Sequence, residues 1–488
     1  MNHDIVVCKM SKSKKTWAAR IVDFASNSLF LKLVFALFII QAVYLAISIE
    51  NNVAPDQAFH NQMIGFLASE NINPFNHGPQ TSNFNLGSTY GLPDTAYHYM
   101  FSYIHRFFAL FVSDNYLITI VKLLNVAIAT LSLYTLKLLS DEAKVLPLAR
   151  NLGLFWISNI LMFIFLSGSV NYDNLSFLLI FSSYHFLLKF HNTKSIKYLL
   201  LLGITAFLGP LVKITHLAVL PFELIGLIIV LYHSLNKKLL ARWLIEFKRH
   251  KAVLTAIISV FIITVGLSSY KIGSNIYKYG SYAPRCEQTI TIDQCRQNSV
   301  YVRNENLSKE KQPALDSNTV NKMEYFADWL LLMHDSNYGI LGHKVTLPLN
   351  SISYSMFAFL LLGIASAVRT YNPKTEKVMG FYFLLSTSVM LILINKNYGS
   401  YVNTGLKNLA VQGRYIMPVF LPIIIIGTHY TMKMITSNRL RALYIIILVT
   451  VAFAGATPSL IYKVDEVWYT PETKQLNTKI NQIMHNTL

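Results

Sequence analysis

Long apolar runs separated by mostly short polar intervals set the organisation of the chain. Taking runs of roughly 17 to 22 apolar residues as membrane-crossing helices marks off eleven, at about 29–49, 116–136, 152–168, 174–190, 197–212, 214–233, 252–270, 351–368, 379–395, 415–432 and 442–461. The fifth is the weakest, because it is short and closes on Gly209-Pro210. Two polar intervals are long. Glu50–Asn115 is rich in Asn, Pro, Gly, His and Tyr, and Lys271–Asn350 is polar and mixed in charge. The pattern predicts an all-α integral membrane protein with about eleven transmembrane helices. Its parts are an N-terminal segment at 1–28, a transmembrane module at 29–270 carrying a first loop at 50–115, a second loop or small domain at 271–350, C-terminal transmembrane helices at 351–461 and a tail at 462–488.

Composition sharpens this picture. Of 488 residues, 53% are hydrophobic and only 14% charged, whereas an ordinary soluble domain has about a quarter of its residues charged. A net charge of +18 would suggest nucleic acid in a soluble protein. Here the excess of Lys and Arg gathers in the segments on one side of the membrane, including Lys9–Arg20, Lys237–Lys251 and Lys433–Arg441, as the positive-inside rule requires. The bilayer therefore accounts for the charge, and nucleic acid is excluded as a partner. With the N-terminus inside and an odd number of spans, the tail and both long loops fall outside, which makes that side the place for function. Met1–Ser26 is polar and basic and the next run is long enough to span, so the first helix is expected to stay as an anchor.

Cys8 falls on the reducing side, whereas Cys286 and Cys295 fall together in the second outer loop, where a disulfide can persist. A bond between them is expected. The alternatives are free thiols or metal ligation, the latter with no other cysteine nearby to complete a thiolate site. Asn306-Leu307-Ser308 matches a glycosylation sequon, a triplet common by chance.

Chemistry-bearing residues cluster at the outer ends of the runs. Val53-Ala-Pro-Asp-Gln-Ala-Phe-His60 places the Asp56 carboxylate and the His60 imidazole four residues apart, on one face if a helix follows Pro55. Asp173 lies in a short turn after Asn171, Lys213 follows Gly209-Pro210, and Arg414 stands in Gln412-Gly-Arg-Tyr415. Charges near the hydrocarbon edge are costly unless paired or functional, so Asp56, Asp173, Lys213 and Arg414 are expected to surround one outer cavity suited to a charged lipid headgroup. Each has a plainer reading: Asp173 and Asp56 as helix caps, Lys213 and Arg414 as cations snorkelling to lipid phosphate. A second acid-to-imidazole spacing, Asp94 to His98, could join Asp56 and His60 in a divalent-metal site or an acid/base network. The plainer reading of His77, His98 and His105 is surface or hydrogen-bonding residues. The aromatics of the first loop, Phe59, Phe75, Phe84, Tyr90, Tyr97, Tyr99 and Tyr103, suit amphipathic helices lying on the membrane, or stacking against sugar rings. Glu223, in the sixth run, is the lone acid at membrane depth: a protonated carboxyl bonded to a neighbouring helix, or a proton relay.

The pattern resembles the GT-C superfamily of integral membrane glycosyltransferases. Pro55-Asp56-x-x-x-His60, Asn171-x-Asp173, Tyr338-Gly-Ile-Leu-Gly342 before Leu347-Pro348, and Gln412-Gly-Arg-Tyr415-x-x-Pro418 are similar to the motifs of a large bacterial multipass family placed in that superfamily, across roughly residues 30–430. Gln57 stands where that family often has a second acid, and His343 where an aromatic is expected, which leaves a bound divalent metal open. The resemblance implies a GT-C-like helix arrangement, with surface helices in the first periplasmic loop and an active site on the periplasmic face of a bacterial inner membrane. It implies transfer of a sugar from a polyprenyl (undecaprenyl) phosphate to a cell-envelope glycan such as O-antigen, with inversion. In that role Asp56 is the general base, Lys213 and Arg414 hold the departing phosphate, and His60, Asp94, His98, Asp173, Gln412 and Tyr415 line the site. A donor-synthesising membrane partner fits the same scheme. The competing readings are a transporter or flippase for a lipid-linked glycan, with Glu223, Lys213 and Asp173 along the path, and a non-catalytic envelope scaffold; the absence of a recognisable inverted repeat and the large outer segments weigh against transport.

Overall fold

A computed structural model describes residues 15–51, 53–70, 83–89, 91–234, 236–309, 321–339, 351–464 and 466–487. Among these the chain is all-helical, apart from one isolated antiparallel bridge between Ile49 and Tyr469. The helices are α1 (Trp17–Ser26), α2 (Ser28–Ser48), α3 (Gln57–Ser69), α4 (Ala96–Phe108), α5 (Asp114–Glu142), α6 (Pro147–Ile157), α7 (Leu161–Ser167), α8 (Asp173–Thr193), α9 (Ile196–Val212), α10 (Leu220–Tyr232), α11 (Lys237–Arg249) and α12 (Lys251–Tyr279). Short α13 (Cys286–Thr289) and α14 (Ile292–Cys295) follow, then α15 (Ser299–Lys309), α16 (Lys322–Asp335), α17 (Ser351–Thr370), α18 (Lys377–Thr404), α19 (Met417–Met434), α20 (Asn438–Gly455), α21 (Thr457–Lys463) and α22 (Pro471–Thr487).

All eleven apolar runs are helical, four of them interrupted: at Ser158–Ile160, before Leu220, at Ile416 and at Ala456. Six helices are long and apolar enough to cross a membrane: α2, residues Tyr116–Glu142 of α5, α12, α17, α18, and α20 with α21. The number becomes eight if the bent pairs α6/α7 and α10/α11 each form one span. That is fewer than the eleven the run lengths suggest. The helix α9 is shorter, and α8 and α19 are diluted by Asp173, His185 and Lys189 in one and by Pro418, Pro422, His429 and Lys433 in the other. Both diluted helices are enclosed by their neighbours, α19 along nearly its whole length, and a helix walled in by protein need not be uniformly apolar. On α12 and α17, by contrast, large apolar side chains such as Ile262, Ile263, Leu361 and Val368 face outward.

The core runs through α2, α6, α7, α8 and α19. The break between α6 and α7 frees backbone groups that cannot be left unpaired in an apolar interior, and polar side chains and a distant carbonyl absorb them. Asn159 Nδ2 donates to Phe155 O (2.7 Å), Gln41 Nε2 donates to Asn159 Oδ1 (3.3 Å), and Met162 N donates to Asn337 O (3.0 Å). This last bond ties the end of α16 into the core. The C-terminal segment pins the end of α2, through Glu50 N to Trp468 O (2.7 Å) and Thr470 N to Ser48 O (2.9 Å). A buried cation inside α5, Lys122, donates to Ile49 O (2.8 Å) at the same place. The turn carrying Asp56 therefore leaves a fixed end, and α3 and α4 fold back over it as a packed pair.

Cys286 and Cys295 are joined by a disulfide, as expected. The segment it closes and the chain on either side of it dock on the loop before α4: Asn298 Nδ2 donates to Asn85 O (2.8 Å), Asn275 Nδ2 of α12 donates to Gly91 O (2.9 Å), and Thr289 and Ser88 join their hydroxyls.

Candidate functional site

At one end of the bundle, side chains from four distant parts of the sequence meet. Asp56 is the residue immediately before α3. It sits in the left-handed region (φ 60) and makes no side-chain cap bond, so the capping alternative fails, and its carboxylate pairs with Arg414 instead. A non-glycine residue held there is uncommon, with Asp and Asn tolerating it best. The Asp56 carboxylate accepts from Arg414 Nη2 at 2.6 Å and remains 38% exposed. Arg414 itself is only 3% exposed and has Asp173 Oδ2 at 3.7 Å on its other side. Asp173 is fully buried and is paired with Lys213. Burial works against the guanidinium charge, but Asp173, Tyr415 and Asp56 hold the Arg414 pKa above its ordinary value.

Local structure sets each of these groups. Asn171 clips the Asp56 turn to α8: its Nδ2 donates to Pro55 O (3.2 Å) and its Oδ1 accepts from Asp173 N (2.8 Å). Asp173 is thus the first residue of α8 rather than its cap, and its carboxylate is spent on cations. Lys213 lies where α9 ends, its ammonium 4.9 Å from the centre of the Tyr172 ring and 5.1 Å from that of Tyr415, a geometry in which ring faces stabilise a cation. Arg414 stands in a single 3-10 turn whose Gly413 N donates to Ser336 Oγ. A Cβ on Gly413 would lie 2.6 Å from the Asn337 side chain, so only glycine lets this turn press against the end of α16. Tyr415 Oη lies 3.3 Å from Arg414 Nη2, and Gln412 supplies the carbonyl that accepts from Tyr415 N (3.0 Å).

The two acid-to-imidazole spacings meet through their imidazoles. His60 Nδ1 and His98 Nε2 are 2.9 Å apart, in two stacked and fully enclosed rings. Burial pushes the His60 pKa down to about 3; Asp56 opposes this, while Arg414 and Lys213 add to it. Burial, and then His60, likewise lower His98 well below the ordinary value. Both rings are therefore neutral, and one donates a hydrogen bond to the other. Asp94 does not join them. Its Oδ2 accepts from Ile214 N (3.4 Å), burial raises its pKa, and the Ile214 N–H, Lys213 and Lys271 pull it back. No divalent site forms on these donors: one nitrogen of each ring faces the other ring, Asp56 turns to Arg414 and Asp94 to Ile214 N, and no group of three or more His, Cys, Asp or Glu that could hold a metal occurs among the described residues.

The histidine pair has a consequence for pH. An imidazole that resists protonation when folded costs nothing above its unfolded pKa of about 6.5, but below that the unfolded chain takes up protons that the native state refuses. Stability should therefore fall as pH drops from about 6.5 toward about 3. Thermal unfolding followed from neutral pH down to about pH 4 checks this, and a His60→Phe/His98→Phe variant should show a shallower slope.

The structure thus brings Asp56, Asp173, Lys213, Arg414 and Tyr415 into one cluster, with Gln412 in the adjoining turn, places His60 and His98 in a buried pair on the same helical lid, and sets Asp94 at the start of α9's following turn. Lys213 and Arg414, expected to face a ligand together, are both buried: Asp173 and two aromatic rings surround the ammonium, and Asp56 and Asp173 flank the guanidinium. Sequence reasoning missed Tyr172 as a wall of the cluster, Asn171 as the clip and Ser336 as the support of the arginine turn. Only Asn171, within its Asn-x-Asp spacing, carried a signal. Residues 340–348, including most of the Tyr338–Gly342 motif, Leu347-Pro348 and His343, lie outside the described residues, as do Phe75, His77 and Tyr90. Ser353, His334 and Asp335 also meet, but Ser353 Oγ and Asp335 Oδ1 both address the Nδ1 side of His334 (3.4 and 3.3 Å), whereas a nucleophile set needs them on opposite nitrogens.

The chain matches no family model, and no curated protein is detectably similar to it.

Proposed function

We propose that the protein is a membrane glycosyltransferase of the GT-C type, moving a sugar from a polyprenyl phosphate to a cell-envelope glycan such as O-antigen. In this reading the eleven helical runs span a bacterial inner membrane, with the N-terminus cytoplasmic and the Asp56 end, both long loops and the tail periplasmic. The observation that carries it is the Asp56–Arg414 contact. One carboxylate stands open at the rim, and directly behind it a buried guanidinium keeps an Nε–H with no acceptor among the described residues. Such a pair can serve both ends of one displacement. Asp56 takes the proton from an acceptor hydroxyl as its oxygen bonds to the anomeric carbon. The bond from that carbon to the phosphate oxygen breaks on the opposite face, and Arg414 compensates the charge on the departing lipid phosphate. The anomeric configuration inverts. Lys213 then acts as a positioning residue, holding Asp173 where it aims Arg414.

Glu223 favours a second reading. Its buried carboxyl bonds Ser183, and its other oxygen has no partner among the described residues. Ser183 lies ten residues along α8 from Asp173, so this acid sits about 15 Å deeper than the rim, where a translocation path would need a titratable group. Reconstitution separates the two readings. Purified protein given a polyprenyl-phosphate sugar and an envelope glycan should form glycosidic product, read by mass spectrometry. Faster movement of donor lipid across a liposome bilayer without product, abolished by Glu223→Gln, would establish transport instead.

A further inference from the structure

Away from the ion cluster, the outer face of α3 opposes the loop before α4 and the residues just after Cys295 across an open groove of about 900 Å³, a size typical of ligand sites, which run to about 1,000 Å³. Gln62, Phe66 and Glu70 line one wall, and Asn83, Asn85 and Gln297 the other. Among the described lining residues the chemistry is that of neutral amides and two serine hydroxyls able to donate and accept, with one aromatic face, one acid and no cation. That is the complement of a chain of hydroxylated rings, which offer hydroxyls to amides and an apolar face to Phe66. A phosphorylated or uronate-rich polymer would find no counter-charge among the described lining residues and would meet Glu70. An extended peptide would seek unpaired strand backbone, and these walls consist of helix and turn.

Three further observations point to an occupant. The groove begins close to the reactive end: α3 starts right after Asp56 and rises about 1.5 Å per residue, so Gln62 lies about 9 Å along the helix from Asp56 and Ser69 about 20 Å. Gly65 sits in mid-helix between Gln62 and Phe66, a position at which glycine weakens a helix, yet a Cβ there would meet nothing within 4 Å. Packing does not require this glycine, and what it leaves is space in the groove. The far wall is braced rather than loose, by the Cys286–Cys295 disulfide and by the Asn298 and Thr289 bonds to the loop before α4.

We propose that this groove binds the acceptor as a neutral oligosaccharide laid along α3, with its reactive hydroxyl toward Asp56. The assignment of the ligand as acceptor rests on the transferase reading, whereas the binding of a neutral glycan does not. The test uses labelled full-length protein in lipid nanodiscs on an array of neutral and uronate-containing oligosaccharides, with polar peptides of similar length alongside. Signals should be confined to neutral glycans. The exposed substitutions Gln62→Ala and Gln297→Ala should each weaken them about three- to tenfold, the worth of one or two neutral hydrogen bonds. Gly65→Trp should remove them by filling the groove; unchanged thermal unfolding shows that each variant is folded. Binding of no neutral glycan, equal binding of uronates or peptides, or a Gly65→Trp protein that binds like the parent overturns the proposal. Neutral glycans bound by a protein that transfers no sugar would overturn the transferase reading and leave the groove standing. Transfer unaffected by Gly65→Trp would do the reverse.

Discussion

Asp56→Asn is expected to lower sugar transfer at least about 100-fold while the protein stays folded, the loss that follows when a positioned general base is removed. The amide keeps the shape of the carboxylate but cannot take a proton from the attacking hydroxyl. Little else changes. Asp56 lies at the rim with its side chain 38% exposed, and Arg414 keeps Asp173 on its other side. Asn also tolerates the left-handed backbone at this position (φ 60) as well as Asp does. Asp56→Ala should lose transfer equally and in addition lower the thermal midpoint, because alanine carries a penalty of about 1–2 kcal/mol in that conformation. The pair of variants separates chemistry from backbone strain, with product measured by mass spectrometry and stability by thermal unfolding. An Asn variant that transfers within a few-fold of the parent would remove Asp56 from the base role.

Much of this arrangement could be read from the chain. The apolar runs all became helices, because backbone in hydrocarbon has few alternatives. The cluster of Asp56, Asp173, Lys213 and Arg414 was legible because isolated charges at the ends of apolar helices must find partners or a task. The disulfide was legible from two cysteines sharing one loop. What failed was everything that depends on which helix touches which. Run length cannot tell an enclosed helix such as α8 or α19 from one that faces lipid, so the sequence does not show which of the eleven runs meet the bilayer and which are walled in by protein. Nor can spacing reveal that His60 would be satisfied by His98 rather than by a metal or by Asp56, or that two tyrosine rings would enclose Lys213. The groove along α3 escaped for a related reason: its amides come from three separate segments, Gln62, Asn83 with Asn85, and the distant Gln297, and amides carry no charge pattern to draw attention to them.

Lys213→Met is expected to destabilise the protein by roughly 3–5 kcal/mol, the cost of leaving a buried charge without its partner. Asp173 has no exposure to water through which to recover solvation, and its other cation, Arg414, stands back at 3.7 Å while holding Asp56 at 2.6 Å. If the pairing with Asp173 is what Lys213 contributes to the fold, a Lys213→Met/Asp173→Asn protein should regain part of the lost stability, since it no longer buries an unpaired carboxylate while Arg414 keeps Asp56. Transfer should not return with it. Arg414 would then be held by Asp56 alone, and the guanidinium proposed to meet the leaving phosphate would lose the carboxylate that aims it. Thermal unfolding and product formation measured on the same three proteins decide the matter. A double variant no more stable than Lys213→Met would show that Lys213 does not act through Asp173. A stable Lys213→Met protein that has lost only its affinity for donor lipid would return Lys213 to the phosphate, the role its place in the sequence first suggested.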